Sequence, residues 1–505
     1  MTDPADRPTL ERQIGAVLFG RVLVAALDSL RAFILARLLD KAGFGILSVG
    51  LTWYGLCTGL GTLALPDALM ALLPRCLGGG RSLATRALVW LAAAAGLGGA
   101  LVLAVSLSAR GETAAVLRWA ALAVALDLPG QVLQAVLLGS QRHRAAALSG
   151  LLLSGAANLA LLVPAAFGLG APWLMASFCG VAVVRLALLW RALRGLGADT
   201  PAAVADRLWP TAWPLWLTSA AGIANRSLST AVASALLPAA AFADLAVGSQ
   251  ELPVVTMLPN AVAVAVLPHL ARLAAGGSAH AALDLWHAGI RRLALVMLPL
   301  WVVATVEAGP VLELLYGGPA WRSAALPFAI TALLLPLRVT TYGTMLLALD
   351  RPRHVLWSQV AGIAVNAALL GGLASLPDGE VQARVGLAAA AGTAGQAVAI
   401  AWMLWAIAAA THTSVGTVFP WRDLAVRGLA AVTVAVPALW LRLSVGETLV
   451  VPGQVGLALG LATRIALAAA LWLAVLRIAG WVPAEDWQAL GRWARLEPLW
   501  RRHDR

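Results

Sequence analysis

The stretch Gln13–Gly45, QIGAVLFGRVLVAALDSLRAFILARLLDKAGFG, decides how the chain is read. It is long and apolar enough to cross a bilayer, whose hydrocarbon core takes about 20 apolar residues in helical form. Yet Arg21, Asp28 and Arg31 lie inside it. A charge at mid-membrane costs about 2.5–3.5 kcal/mol on insertion scales, so such residues face a bundle interior or a wet cavity. At about 100° per residue, Asp28 falls about 20° from Arg21 and Arg31 about 80° from it, which puts all three on one face. The competing reading is that the arginines snorkel towards opposite ends and that Asp28 and Arg31, at i,i+3, merely neutralise each other. The shared face favours one wall of a polar cavity.

Working outward, the whole chain repeats this character. Of its 505 residues 61% are hydrophobic and only 12% charged, whereas a soluble domain carries about 25% charged residues. About fourteen apolar runs are expected to span, near 14–38, 44–66, 83–108, 113–138, 145–168, 171–193, 212–236, 244–267, 287–309, 323–348, 354–376, 385–409, 424–443 and 457–478. The fold class is therefore all-α and polytopic, since the short alternating segments of a transmembrane barrel are absent. The net charge of +12 does not imply nucleic acid, because the basic residues sit in short loops between the runs. Alternate loops hold 23 and 7 basic residues. The richer set marks the cytoplasmic side, and both termini fall on it. The tryptophan- and arginine-rich tail, 481–505, reads as an interfacial amphipathic helix.

Several classes are disfavoured. Cys57, Cys76 and Cys179 have neither CxxC spacing nor histidine partners, which argues against a disulfide framework and a zinc site. The first apolar run is too long and too charged for a cleaved signal peptide. There is no Walker A loop, HExxH or Ser/His/Asp setting, so neither an ATPase nor a hydrolase is indicated.

The sequence also repeats itself. Leu38–Gly50, LLDKAGFGILSVG, aligns without gaps on Leu236–Gly248, LLPAAAFADLAVG, and Leu65–Leu77 resembles Leu258–Leu270. The turn Gln141–Arg144 followed by Asn158 has a partner in Asp350–His354 followed by Asn366. Three matches in one order imply two parallel halves of six spans, a symmetry found in transporters. The expected organisation is a bundle over 1–193, a cytoplasmic linker over 194–211, a second bundle over 212–410, two further spans over 411–480 and the tail.

The segments ARLLDKAGFGILSVGLTW, LPDALMALLPRCLGGG, FADLAVGSQELPVVTMLPNAVAVAVLPHLARL and VLELLYGGPAWRSAALPFAI carry a family resemblance. They resemble the multidrug/oligosaccharidyl-lipid/polysaccharide (MOP) exporter superfamily, and within it the polysaccharide and O-antigen flippases, over about residues 12–410. The resemblance implies a V-shaped transporter of two six-helix bundles, not an enzyme and without cofactor, in the bacterial cytoplasmic membrane. It would move undecaprenyl-diphosphate-linked glycan between leaflets by alternating access, with H+ or Na+ as candidate coupling ions and polysaccharide assembly proteins as candidate partners. Ala71 stands where relatives often carry a basic residue. Lipid II and, for a multidrug exporter, an organic cation are the alternative substrates. A membrane polymerase or glycosyltransferase is the rival of another class.

Binding a diphosphate away from water calls for guanidinium forks. The candidate substrate-binding residues are Arg21, Asp28, Arg31, Arg226, Gln250, Glu251 and Arg338. Arg226 and Arg338 are deepest in their spans, among the polar neighbours of NRSLST and PLRVTTYG. Gln250 and Glu251 precede Pro253 and Pro259, which are expected to break the eighth span. Arg185 reads as an interface anchor, Arg464 as structural, Asp244 as a helix N-cap, and Asp127 is ambiguous. At the 198-residue shift of the repeat Asp28 faces Arg226, an opposite-charge pair that could latch the halves or form an asymmetric site.

Overall fold

The computed structural model describes residues 24, 27–76, 79–197, 201–250, 253–377, 379–445 and 453–482. Among these, eleven helices are long and apolar enough to cross a membrane, or twelve if one bent pair counts as a span. The fourteen expected runs also include the first helix, α1, described over residues 27–38. The seventh run is a 29-residue helix, Leu208–Leu236, whose many polar residues keep it off the apolar count. The interfacial tail from residue 483 onward lies outside the described residues.

The first half continues through α2 (Lys41–Gly61), α3 (Leu65–Leu72), α4 (Arg81–Ser108), α5 (Gly111–Gly130), α6 (Val132–Gly139), α7 (His143–Ala166) and α8 (Ala171–Arg194). A short helix, α9 (Ala202–Ala205), precedes α10 (Leu208–Leu236), and α11 (Ala239–Gly248) and α12 (Pro253–Ala275) follow. The helix boundaries obey local chemistry. Asp40 caps α2 by accepting from the Gly43 amide at 3.1 Å. In α12 the helix runs on through Pro259 and bends by 41° between Met257–Ala263 and Ala265–Ala275. The bend falls at residue 264, four before Pro268, where the missing N–H and the ring's clash with the i−4 carbonyl disrupt the ladder. The expected break at Pro259 is therefore displaced to the influence of Pro268.

The remaining helices are α13 (Ala279–Val306), α14 (Ala308–Tyr316), α15 (Ala325–Ala332), α16 (Tyr342–Ala348), α17 (Arg353–Gly371), α18 (Val381–Thr411), α19 (Trp421–Val445) and α20 (Gln454–Ile478). Three apolar clusters hold the bundle. One lies in the first half around Leu69, Leu83 and Val132, and it also takes in Leu208 and Ala212 from the start of α10. A second lies in the second half around Ile290, Met345 and Ile407, and extends to Phe419 and Trp472 near and within the C-terminal helices. The third crosses between halves, with Leu47 and Val116 against Phe242, Leu245 and Val385. There α2 and α11 touch at their backbones, for a Cβ at Gly45 would stand 1.9 Å from the Ala239 carbonyl oxygen. Only glycine permits that crossing.

The linker does not hang free. Arg81 of α4 donates to the carbonyls of Leu193 at 3.1 Å and Arg194 at 2.8 Å, which fixes the end of α8 and the start of the linker to the first half. At the other extreme of the chain, α20 is tied inward by charge. Arg464, 1% exposed, donates to Glu307 at 2.9 and 3.1 Å, and Glu307 occupies the break between α13 and α14. Arg442 of α19 donates to the Val306 carbonyl at 3.0 Å. The structural role expected of Arg464 is thus given a partner.

Removing one member of a buried ion pair strands the other, a loss of about 3–5 kcal/mol. Arg464→Met is expected to lower the melting temperature of the purified protein, and Arg464→Met with Glu307→Met to recover most of that loss. Equal melting temperatures for the single and double variants would refute this account of the C-terminal helices.

Candidate functional site

The polar residues of the second half converge where α10, α17 and α18 cross. Asn366 of α17 donates to the Asn225 carbonyl of α10 at 3.0 Å, and the Asn225 amide donates to Gln359 Oε1 at 3.1 Å. Gly362 and Gly395 let the helices meet there: a Cβ on Gly362 would lie 2.5 Å from the Gly395 carbonyl oxygen. This crossing fixes the residues immediately before Arg226 and Gln396. Arg338 follows the 3-10 turn Leu335–Leu337 rather than lying in a helix, and its guanidinium donates to Gln396 Oε1. Arg226 and Arg338 then line one cavity of about 290 Å³ with Asn225, Asn260, Gln359 and Gln396. An amide oxygen thus helps to position Arg338 at the void that Arg226 also lines.

The other candidates are dispersed. Asp28 pairs with Arg31 at 3.8 Å, the local neutralisation that i,i+3 spacing allows. Asp28 also lines a separate cavity of about 510 Å³ whose described lining belongs wholly to the first half. Gln250 accepts from the Tyr316 hydroxyl at 3.0 Å and borders a small void that also touches Arg338. Arg21 and Glu251 lie outside the described residues. Asp28 and Arg226 line different cavities, and the ion partner of Asp28 is Arg31 rather than Arg226.

Two ion pairs escaped sequence reasoning. Arg185 is no interface anchor: its Nη1 donates to both oxygens of Asp127, at 2.6 and 2.7 Å. Asp127 also accepts from the Tyr54 hydroxyl at 2.7 Å and the Gln131 amide at 3.1 Å, so it joins α2, α5 and α8. Its position two residues before Pro129 was visible, but the partner 58 positions away was not.

Asp244 is likewise not an N-cap. Its helix begins at Ala239, behind Pro238, which leaves Asp244 in the helix body and 2% exposed. Lys41 Nζ reaches it at 2.7 Å and also donates to the Ala320 carbonyl at 2.9 Å and Ser323 Oγ at 2.7 Å. Around this knot Phe44 and Trp321 meet edge to face at 5.2 Å, as do Phe33 and Tyr316 at 5.2 Å. Arg37 donates to the Leu314 carbonyl at 2.5 Å. The corner between α1 and α2 is thereby sealed against the second half. An isolated acid in the apolar run AAAFADLAVG was the available signal.

Away from the seal α2 stays joined to α10. Trp53 Nε1 donates to Ser234 Oγ at 3.0 Å, and Trp216 Nε1 to the Leu60 carbonyl at 2.7 Å.

Residues 131–326 match the family model described as lipid II flippase MurJ. No curated protein matches the sequence. Among solved structures, a lipid II flippase MurJ in an inward closed conformation is similar at a TM-score of 0.66 and 12% identity, over 92% of this chain and 99% of that one. An inward-facing multidrug resistance MATE family transporter of the MOP superfamily is similar at a TM-score of 0.50 and 11% identity, over 77% of this chain and 96% of that one. The chain is an all-helical polytopic membrane protein with the fold of the MOP superfamily transporters.

Proposed function

We propose that the protein is a flippase for a lipid-linked saccharide diphosphate, with lipid II the best-supported substrate. The observation that carries this reading is the convergence of Arg226 and Arg338 on one cavity within a bundle of this fold. A diphosphate is the chemical group that two fixed guanidiniums suit, because each can offer parallel N–H donors to phosphate oxygens. The family match over 131–326 favours lipid II over the O-antigen type of oligosaccharide. A cation exporter is disfavoured by the sign of the cavity, and a polymerase by a fold whose matched representatives are transporters.

The mechanism follows from the seal. The positive-inside pattern assigns the Lys41 corner to the outer face. With Lys41, Asp244 and Ser323 joined, the outer route is shut and a headgroup enters from the cytoplasmic side. Opening outward separates Lys41 from Asp244, so water must replace the pair on both charges. The polyprenyl tail stays in lipid throughout, and only the headgroup crosses. A coupling ion, H+ or Na+, would bias the two states by binding one better than the other.

Two outcomes are expected. Hydrogen bonds to charged groups are worth about 1.5–3 kcal/mol each, so Arg226→Ala or Arg338→Ala should slow flipping of lipid II in proteoliposomes by at least about tenfold. Arg226→Lys should fall between, because it keeps charge without the fork. Parental rates in both alanine variants would sink the cationic-cavity reading.

Lys41→Ala strands a buried carboxylate and should weaken the outer seal. A cysteine at Thr341, which borders the arginine cavity, should then react severalfold faster with a membrane-impermeant maleimide added outside. Labelling no faster than in the Lys41 background would dismiss the seal.

A further inference from the structure

The cavity lined by Asp28 is unused by the scheme above, although at about 510 Å³ it exceeds the arginine cavity of about 290 Å³. It lies within the range of small-molecule sites, roughly 300–1,000 Å³. The two voids occupy corresponding places in the two halves. Asp28 aligns with Arg226 at the 198-residue shift, and Leu151 aligns with Gln359 when Asn158 is set on Asn366. Each of these four residues borders the void of its own half. Asn158 and Asn366 are themselves both buried, at 5% and 0% exposure, with an unpartnered Oδ1.

Their chemistry differs. Among the described residues, the first-half cavity carries only two charged side chains, Asp28 and Arg185, and each is paired, with Arg31 and Asp127. Its remaining polar groups are the amides of Gln131 and Gln134 and the Ser154 hydroxyl, set in walls that include Met70. A phosphate brought here would find the one cation of the described lining, Arg185, already paired with Asp127. Primary amides and a hydroxyl between apolar walls instead complement secondary amides flanked by methyl groups, which both donate and accept.

We propose that this cavity is a second subsite for the transported headgroup, one that receives its amide-bearing, phosphate-free portion while Arg226 and Arg338 hold the diphosphate. The inference rests on the flippase reading and deepens it. Two parts of such a headgroup have the required chemistry: acetamido sugars and a short peptide. In each, the amide lies beyond the diphosphate as seen from the lipid tail, as a site separate from the arginines requires.

The test compares binding of three lipids to the full chain in nanodiscs. They are undecaprenyl diphosphate, the same lipid bearing a disaccharide of acetamido sugars, and that disaccharide lipid carrying a pentapeptide. The parental protein should bind an amide-bearing lipid about tenfold more tightly than the bare one, the scale of one or two hydrogen bonds. A gain at the disaccharide assigns the cavity to acetamido sugars, and a gain only at the third lipid assigns it to peptide. Gln134→Leu removes an amide and Ala147→Trp fills the void, and each should bring the ratio close to one. Arg226→Ala should weaken all three lipids in the same proportion. A parental protein without the preference, or a preference intact in both cavity variants, overturns the subsite alone. Failure to bind any of the three lipids overturns the flippase reading and the subsite with it.

Discussion

A charge inside a bilayer must be neutralised or hydrated, and that requirement orders this molecule. Asp127 is closed off by Arg185, Tyr54 and Gln131, and Glu307 by Arg464. Asp244 is closed off by Lys41 and Ser323. Against this background the cavity of Arg226 and Arg338 is different in kind. Its polar lining is made of amides and hydroxyls, and among the described residues no carboxylate borders it. Gln396, a neutral acceptor, takes a hydrogen bond from the Arg338 guanidinium there.

The pairs also differ in what they join. Asp127 with Arg185 lies within the first half, and Glu307 with Arg464 binds the last helix to the second. Lys41 with Asp244 crosses between them. On the alternating-access reading proposed above, the first two move with their own half, and of these three pairs only the crossing one has to part. Its exposure suits that task. Lys41 retains 22% exposure where Arg464 retains 1%, so the crossing pair is the less enclosed of the two.

Much of this was legible in the sequence because the membrane leaves few ways to satisfy a long apolar run. The succession of long apolar helices came from patterns within single segments. What stayed hidden were relations between segments. Arg185 resembled an interfacial arginine because Trp190 and Arg191 follow it, and nothing local pointed to Asp127 across 58 positions. Asp244 passed for a cap because the start of α11 was placed five residues late, which turned a buried ion-pair partner into a terminal residue. Proline misled in a similar way. Pro259 and Pro268 both lie in α12, but the bend follows the second, and sequence alone does not say which freed carbonyl the surroundings can satisfy.

The repeat gains meaning from its departures. Two identical arginine cavities facing each other would bind a diphosphate equally well in either half, and the headgroup would have no defined direction. On the flippase reading, the half that carries Asp28 at the corresponding position, its charge met by Arg31, offers phosphate no comparable attraction, while the arginine half draws it. On that reading a long headgroup on a fixed lipid tail is orientated by electrostatics before any close contact forms. Orientation matters in alternating access, because a headgroup spanning both halves feels every relative movement of the two walls, whereas one held wholly in a single half would ride with it. On the flippase reading, unlike residues at corresponding positions give the two halves a shared load, which a symmetric pair of sites would not supply.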